Sequence, residues 1–477
     1  MRALFGRPLC VVNVGLASFA EPIGRCGGSV VQLDWAPPGS AEPAVAAALA
    51  RLTAHPALAR GNARACAAYA SARPVLAGVG IAGEVIPGMG QRMLLHAGPP
   101  VAFAAMSGPM RGAIIGAILY EGWAADAQAA ARLASGGELA FAPCHDHAAV
   151  GPMAGVISPN MPVWMVRNAA AGNRAFSNLN EGLGKVLRFG AYGDEVIQRL
   201  IWMRKVLAPT LGKALHALGE VELNPLIAQA LHMGDEVHNR NAAASALLLK
   251  HLVPALLGSG ASGSEVAATV AFIAGNDHFF LNISMAAAKA MLDAAHGTAA
   301  SSMVTAMCRN GVEFAIRVSG TGARWFTAPA PRVEGLYFAG YGAADAAGDL
   351  GDSAITETAG LGGFAMAAAP AIVKFVGGSS ADALANTLAM RHITLGSNGA
   401  FTLPALDFAG TPAGIDVTRV VDTRILPVIN TGIAHRQPGI GQIGAGVTHA
   451  PMGCFTASVV ALAATLAAQQ DGEVVDA

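Results

Sequence analysis

Two histidines flank an aspartate in the string Pro143-Cys-His-Asp-His-Ala-Ala-Val-Gly-Pro-Met153. Imidazole exchanges protons near neutral pH, so His145 is a candidate general acid. Asp146 or His147 would orient it, although adjacent residues on an extended chain point apart. Only 13% of the chain is charged, so this density of ionisable groups marks a place where chemistry would sit.

Groups able to hold anions occur elsewhere. Ser107-Gly-Pro109 precedes an apolar run at 110–123 with Arg111 inside it. A serine N-cap, a first-turn proline and free N–H groups make a candidate anion site, or simply a capped helix. Arg309, Asn310 and Arg317 lie on and before an alternating apolar/polar run at 312–318. That period of two puts Glu313 and Arg317 on one strand face, where they could also pair on a wet surface for ~0–1 kcal/mol. Asn180, Glu181 and Lys185 lie in a glycine-punctuated segment and could bind phosphate, or belong to a surface helix with an i, i+4 pair. Asp349, Asp352 and Glu357 could hold Mg²⁺ or Mn²⁺ through oxygen, or cap a helix. No cofactor is demanded. His232, Glu236 and Asn239 share one face if 232–239 is helical, with Asp235 and His238 at i, i+3. This pattern suits a metal or a polar interface stripe.

The elements that must position these residues read as an α+β multidomain chain. Residues 1–73 form a small Rossmann-like α/β unit (strands at 9–14 and 29–34) followed by a helical linker from 44. Asp34 stands where a ribose-binding acid would, but no Gly-x-Gly-x-x-Gly fingerprint accompanies it. Residues 74–188 form an α+β domain carrying the His145 loop, with a strand at 93–96. Residues 189–300 are mainly helical, the last helix running over 284–296 with Gly297 just beyond it. Residues 301–477 are α+β. Gly360, Gly362 and Gly363 would each cost a helix about 1 kcal/mol against alanine, so another backbone or a ligand should approach closely there. The late run Gly439-Ile-Gly-Gln-Ile-Gly-Ala-Gly446 lacks the Gly-Lys-Ser/Thr end of a P-loop.

Composition excludes several classes. A net charge of −1 argues against binding nucleic acid or a membrane surface through bulk electrostatics. The apolar run at 455–468 is shorter than the ~20 residues a bilayer helix needs. Six scattered cysteines without Cys-x-x-Cys, and no secretory signal pattern, fit a reduced, cytoplasmic protein free of structural zinc. Alanine-rich helices and low net charge suit large protein interfaces, including a homo-oligomer.

Several strings together resemble one family. They include Leu95-His-Ala-Gly-Pro-Pro100, Ser107-Gly-Pro-Met-Arg-Gly112, Glu121-Gly-Trp123, Pro143-Cys-His145, Ala149-Val-Gly-Pro-Met153 and Asn178-Leu-Asn-Glu-Gly-Leu-Gly-Lys185. Further on come Met233-Gly-Asp-Glu236, Thr305-Ala-Met-Cys-Arg-Asn-Gly311, Gly351-Asp-Ser-Ala-Ile-Thr-Glu357 and Ile429-Asn-Thr-Gly-Ile-Ala-His435. These are similar to the YlbE-like group, which includes the AllG-type subunits of oxamate carbamoyltransferase. Asp146 departs from that pattern, which reads Cys-His-His, and His449 stands where arginine is common. The resemblance implies ureide breakdown in purine (allantoin) catabolism, with oxalurate and phosphate giving oxamate and carbamoyl phosphate. It also implies a multisubunit complex with an FdrA-like subunit, resembling acyl-CoA synthetases, and a third subunit. Two other classes fit the residues: a ligase-type or ring-opening enzyme on another ureide, cyclic amide or acyl phosphate, and a non-catalytic subunit that presents substrate.

Overall fold

The computed structural model describes residues 10–33 and 42–475. Asp34 lies outside the described residues. The fold is α+β, with seventeen helical segments of α type and several separate sheets among the described residues.

Residues 10–33 form a parallel β-α-β unit, strand Cys10–Val14 pairing in register with Ser29–Leu33 across helix Ala20–Arg25. No residue of this unit is buried, and Val12, Val14, Leu16 and Phe19 are exposed. The helices expected from 44 onward are present as Pro43–Ala54 and Pro56–Ala70. They are built into the body rather than strung between bodies. Val45, Ala48, Leu49 and Leu52 recur with helical period, so one stripe is buried against the C-terminal helix Met452–Val475.

A five-stranded sheet follows, ordered Ala149–Val150, Arg174–Asn178, Pro162–Asn168, Pro74–Ile81, Val221–Glu222. Beside it, Met93–His96 pairs in parallel with Ala140–Pro143, which delivers the His145 loop. The region 194–295 is mainly helical. Its last helix, Leu281–Ala295, lies in the middle of the molecule with Leu281 to Leu292 all buried, and Gly297 follows its C-cap with φ +77°. It packs on the strands Pro162–Asn168, Arg174–Asn178 and Val304–Asn310 and on helix Pro56–Ala70. One apolar cluster therefore takes residues from 65 to 413, joining the three later segments through a shared core.

Strand Glu313–Val318 forms in the expected register between Val304–Asn310 and Phe326–Pro329. Its polar face is not wet, however, because Arg317 is 9% exposed and turned to Asp146 rather than to Glu313. The glycine expectation at 360–363 is met by backbone and carboxylate. A Cβ on Gly363 would lie 2.4 Å from the Val428 carbonyl, and one on Gly362 (φ +55°) would lie 2.1 Å from Glu357 Oε1.

Candidate functional site

Two polar centres are built from the segments singled out above. The first surrounds His145. Residues Cys144–His147 make one 3₁₀ turn, closed by Ala148 at φ +54°. That turn swings His145 inward, where its side chain is 0% exposed and neither ring nitrogen has a hydrogen bond. Trp325 meets the ring edge-on at 5.7 Å. Burial, with Lys289, Arg317 and His296 nearby, pushes the imidazole well below its ordinary pKa, so it is neutral. Neither sequence neighbour orients it. Asp146 accepts from Arg317, whose guanidinium stacks 3.9 Å from the Trp325 centroid, and His147 Nδ1 meets the Pro87 carbonyl at 2.8 Å. Asp352 instead faces His145, its Oδ1 3.6 Å from Nε2.

Asp352 is held by two backbone donors from distant segments, Gly98 N at 2.8 Å and Gly151 N at 3.0 Å. Burial still dominates and lifts its carboxyl to about 7. Gly98 sits at φ +81°, and a Cβ there would lie 2.5 Å from the Arg309 backbone, so only glycine lets this loop reach the strand.

The expected anion binders near this centre are structural. Arg309 forks onto Asp349 at 2.7 and 2.9 Å and donates to the Gly351 carbonyl, Ser353 and Thr431, all buried. No donor remains for an anion. Asn310 donates to the Pro99 carbonyl and accepts from the backbone of Val312 and Glu313. Ser107 makes no cap bond; its hydroxyl donates to the Asn310 carbonyl. Arg111 donates to the Met106 and Ala104 carbonyls, and the Arg436 carbonyl crowds Gly108 at the helix start. The trio Asp349, Asp352 and Glu357 does not converge on one ion: the first is taken by Arg309, the second by Gly98 and Gly151, the third by His238 and Gly363.

The second centre is an open cleft. The helix read through 232–239 stops at His232, because Gly234 (φ +95°) and Val237 (φ +66°) turn the chain into a loop. His232, Glu236 and Asn239 therefore share no helix face. Glu236 pins the loop, accepting from Arg240 N at 2.5 Å and His238 N at 3.1 Å while its carbonyl accepts from Gly362 N. Burial raises its carboxyl to about 7. Beneath, His238 Nδ1 meets Glu357 Oε1 at 2.7 Å. The loop presents Asn239, Arg240 and Asn241 to the cleft, opposite Asp277, His278 and Gln442, with Leu183, Phe338 and Phe375 as apolar rim. The cleft encloses about 600 Å³, open solvent included. Arg240 is 39% exposed and held only by a 3.6 Å ion pair from Nε to Asp235; its terminal N–H groups donate no hydrogen bond among the described residues. Burial and Arg188 drive His278 down to about 3, so it stays neutral.

Asn180 and Glu181 are buried and do not line the cleft. Glu181 accepts from the backbone of Leu187 and Arg188, and Asn180 joins Asn276 and Asn282 in a buried amide chain. No helix spans 181–185, so the i, i+4 pair is absent; Lys185 is exposed. Sequence reading missed Arg240, Asn241, Asp277 and His278. The signal was the primary amides clustered at 239–241 and beside 277–278 in otherwise alanine-rich helical sequence.

The family model described as oxamate carbamoyltransferase subunit AllG matches residues 139–353, a span that holds both centres' central residues. The chain is 47% identical over 462 residues to the uncharacterized protein YahG of Escherichia coli (strain K12), covering 96% of this chain and 98% of that one. It is 47% identical over 412 residues to the E. coli (strain K12) oxamate carbamoyltransferase subunit AllG, covering 86% and 98%. A crystal structure of a conserved protein of unknown function from Enterococcus faecalis V583 superposes with TM-score 0.85 at 50% identity, covering 86% and 98%.

Proposed function

The chain belongs to the AllG family, and from that premise we propose that it is a subunit of an oxamate carbamoyltransferase-type complex. In this reading oxalurate, or a related ureide, and phosphate give oxamate and carbamoyl phosphate. An FdrA-like subunit and a third subunit complete the assembly, which would work in the cytoplasm in purine (allantoin) catabolism. Among the described residues no helix is long and apolar enough to cross a membrane.

One observation carries the reading: an uncommitted guanidinium, Arg240, stands in a cleft beside three primary amides, Asn239, Asn241 and Gln442. A planar guanidinium fork suits a carboxylate or a phosphate. Primary amides both donate and accept, which matches the alternating N–H and C=O groups of a ureide. Transfer of the carbamoyl carbon to phosphate passes through a tetrahedral oxyanion, and the terminal Arg240 N–H groups, with the unpartnered Nδ2 of Asn239, would stabilise it.

A second reading is favoured by the acid–base groups. His278 is neutral, and Glu236 and Glu357 are buried under the loop. The cleft thus offers binding groups but no protonated acid for the leaving nitrogen, while Phe338 and Phe375 stand exposed at its rim. That arrangement suits a subunit that binds the ureide and receives its proton donor from a partner chain.

The test is reconstitution. The chain alone and with its partner subunits is given oxalurate and phosphate, then a panel of ureides and cyclic amides, and carbamoyl phosphate is measured. Product only from the assembly supports the proposal. Turnover of a cyclic amide without carbamoyl phosphate would move the chain to a ring-opening enzyme.

A further inference from the structure

We propose that His145, Cys308 and Asp352 form a buried binding site for one zinc-class divalent cation, bridging the His145 turn, the strand Val304–Asn310 and the turn that follows Leu350–Gly351. The imidazole nitrogen, the thiol sulfur and a carboxylate oxygen all lie within 4.8 Å of one another, and all three residues are buried. The 3.6 Å between His145 Nε2 and Asp352 Oδ1 is too long for a hydrogen bond. It is close to the edge of a tetrahedron of ligands at about 2.0–2.3 Å from a central Zn²⁺, roughly 3.3–3.7 Å.

The second observation is the state of His145. Both ring nitrogens are buried and without a partner, a costly arrangement in a fully enclosed polar side chain. The buried Cys308 thiol likewise makes no hydrogen bond among the described residues. Metal coordination gives each residue a partner: one ring nitrogen supplies a lone pair, and the Cys308 thiol releases its proton to solvent as it becomes a ligand.

The surroundings fit the charge. A dication balanced by a thiolate and a carboxylate is neutral overall. The nearby cations are already matched, Lys289 by Asp293 at 2.6 Å and Arg317 by Asp146. Asp352 is aimed from outside by the Gly98 and Gly151 amides, one on each oxygen, the support that metal-ligating carboxylates usually receive. Thiolate and imidazole select zinc-class ions over Mg²⁺ or Mn²⁺, which prefer oxygen. Three protein ligands leave a fourth position for a small oxygen donor.

The experiment uses the full chain carrying Cys10→Ser and Cys26→Ser, which removes the exposed thiols. Metal content after equilibration with Zn²⁺ is measured, and Co²⁺ is then exchanged in as a spectroscopic probe. The expected result is one tightly held equivalent of Zn²⁺, a thiolate-to-cobalt charge-transfer band, and a Tm that rises with free Zn²⁺. Cys308→Ser should abolish the band, and Asp352→Asn should weaken Zn²⁺ retention at least tenfold. A folded parent without the band, or a band that persists in Cys308→Ser, would overturn the proposal. The parent spectrum decides the matter even if a variant fails to fold.

Discussion

The two polar centres differ in what they do with their charges. Around His145 the ionisable groups are dense but paired or sealed: Arg309 spends its donors on Asp349, Gly351, Ser353 and Thr431, Arg317 pairs with Asp146 while its Nε lies buried without a partner, and His145 meets no solvent. At the Arg240 cleft they are sparse, but the terminal N–H groups of one guanidinium make no hydrogen bond among the described residues. The contrast teaches that a concentration of titratable residues locates a buried polar junction, whereas binding groups declare themselves by uncommitted donors. Asp352 stitches the Gly98 and Gly151 loops together from the C-terminal segment, so the first centre reads as the clamp between chain segments. The second reads as the surface on which substrate rests.

The sharpest way to break this contrast is Arg309→Ala. It leaves Asp349 buried without its partner and should cost about 3–5 kcal/mol, seen as a large drop in urea midpoint. Normal stability with weakened phosphate affinity would return Arg309 to the binding site. A smaller effect comes from Glu236. Its folded-state carboxyl stands at about 7, above the ~4.3 of an unfolded glutamate. The folded state therefore holds the proton longer, so this group's stabilisation is complete below ~4.3 and is lost as pH rises to about 7. Asp352 acts with the same sign. Stability should fall across that window, and Glu236→Gln should flatten the fall by on the order of 1–3 kcal/mol. An unchanged pH profile would show that Glu236 ionises normally and does not clamp the loop as described. The smallest effect is expected of Lys185→Ala, an exposed side chain two residues from Leu183 of the cleft. Stability should stay within ~0.5 kcal/mol, and KM for the anionic substrates should rise a few-fold at low salt only. A loss of kcat would place Lys185 inside the site.

Much of the scaffold was legible because its signals are local. The alternation at 312–318, the strand at 93–96 and Gly297 after its helix each announce a backbone requirement that neighbours in sequence decide, and the glycines at 360–363 announce a close approach without naming what approaches. The errors have one physical source, which is contact between distant segments. The i, i+4, i+7 arithmetic for His232, Glu236 and Asn239 overlooked Gly234, whose positive φ ends the helix. Arg317 was on the expected strand face, but Asp146 and Trp325, from elsewhere in the chain, cover that face. The helices after residue 43 look like a linker in isolation because their partner surfaces lie far along the chain, the C-terminal helix for Pro43–Ala54 and Leu281–Ala295 for Pro56–Ala70. Arg240 carries only the weak local mark of the amides beside it: its availability follows from Asp235 being its sole ion-pair partner among the described residues.

The measurement that bears most directly on the account is kcat/KM for carbamoyl phosphate formation by the assembled complex carrying Arg240→Ala, with Tm recorded in parallel. Loss of one charge-assisted contact to an anion is worth about 1.5–3 kcal/mol, so kcat/KM should fall roughly tenfold to a hundredfold while Tm stays at the parent value. Unchanged kcat/KM in the folded variant would contradict the assignment of the cleft as the substrate site.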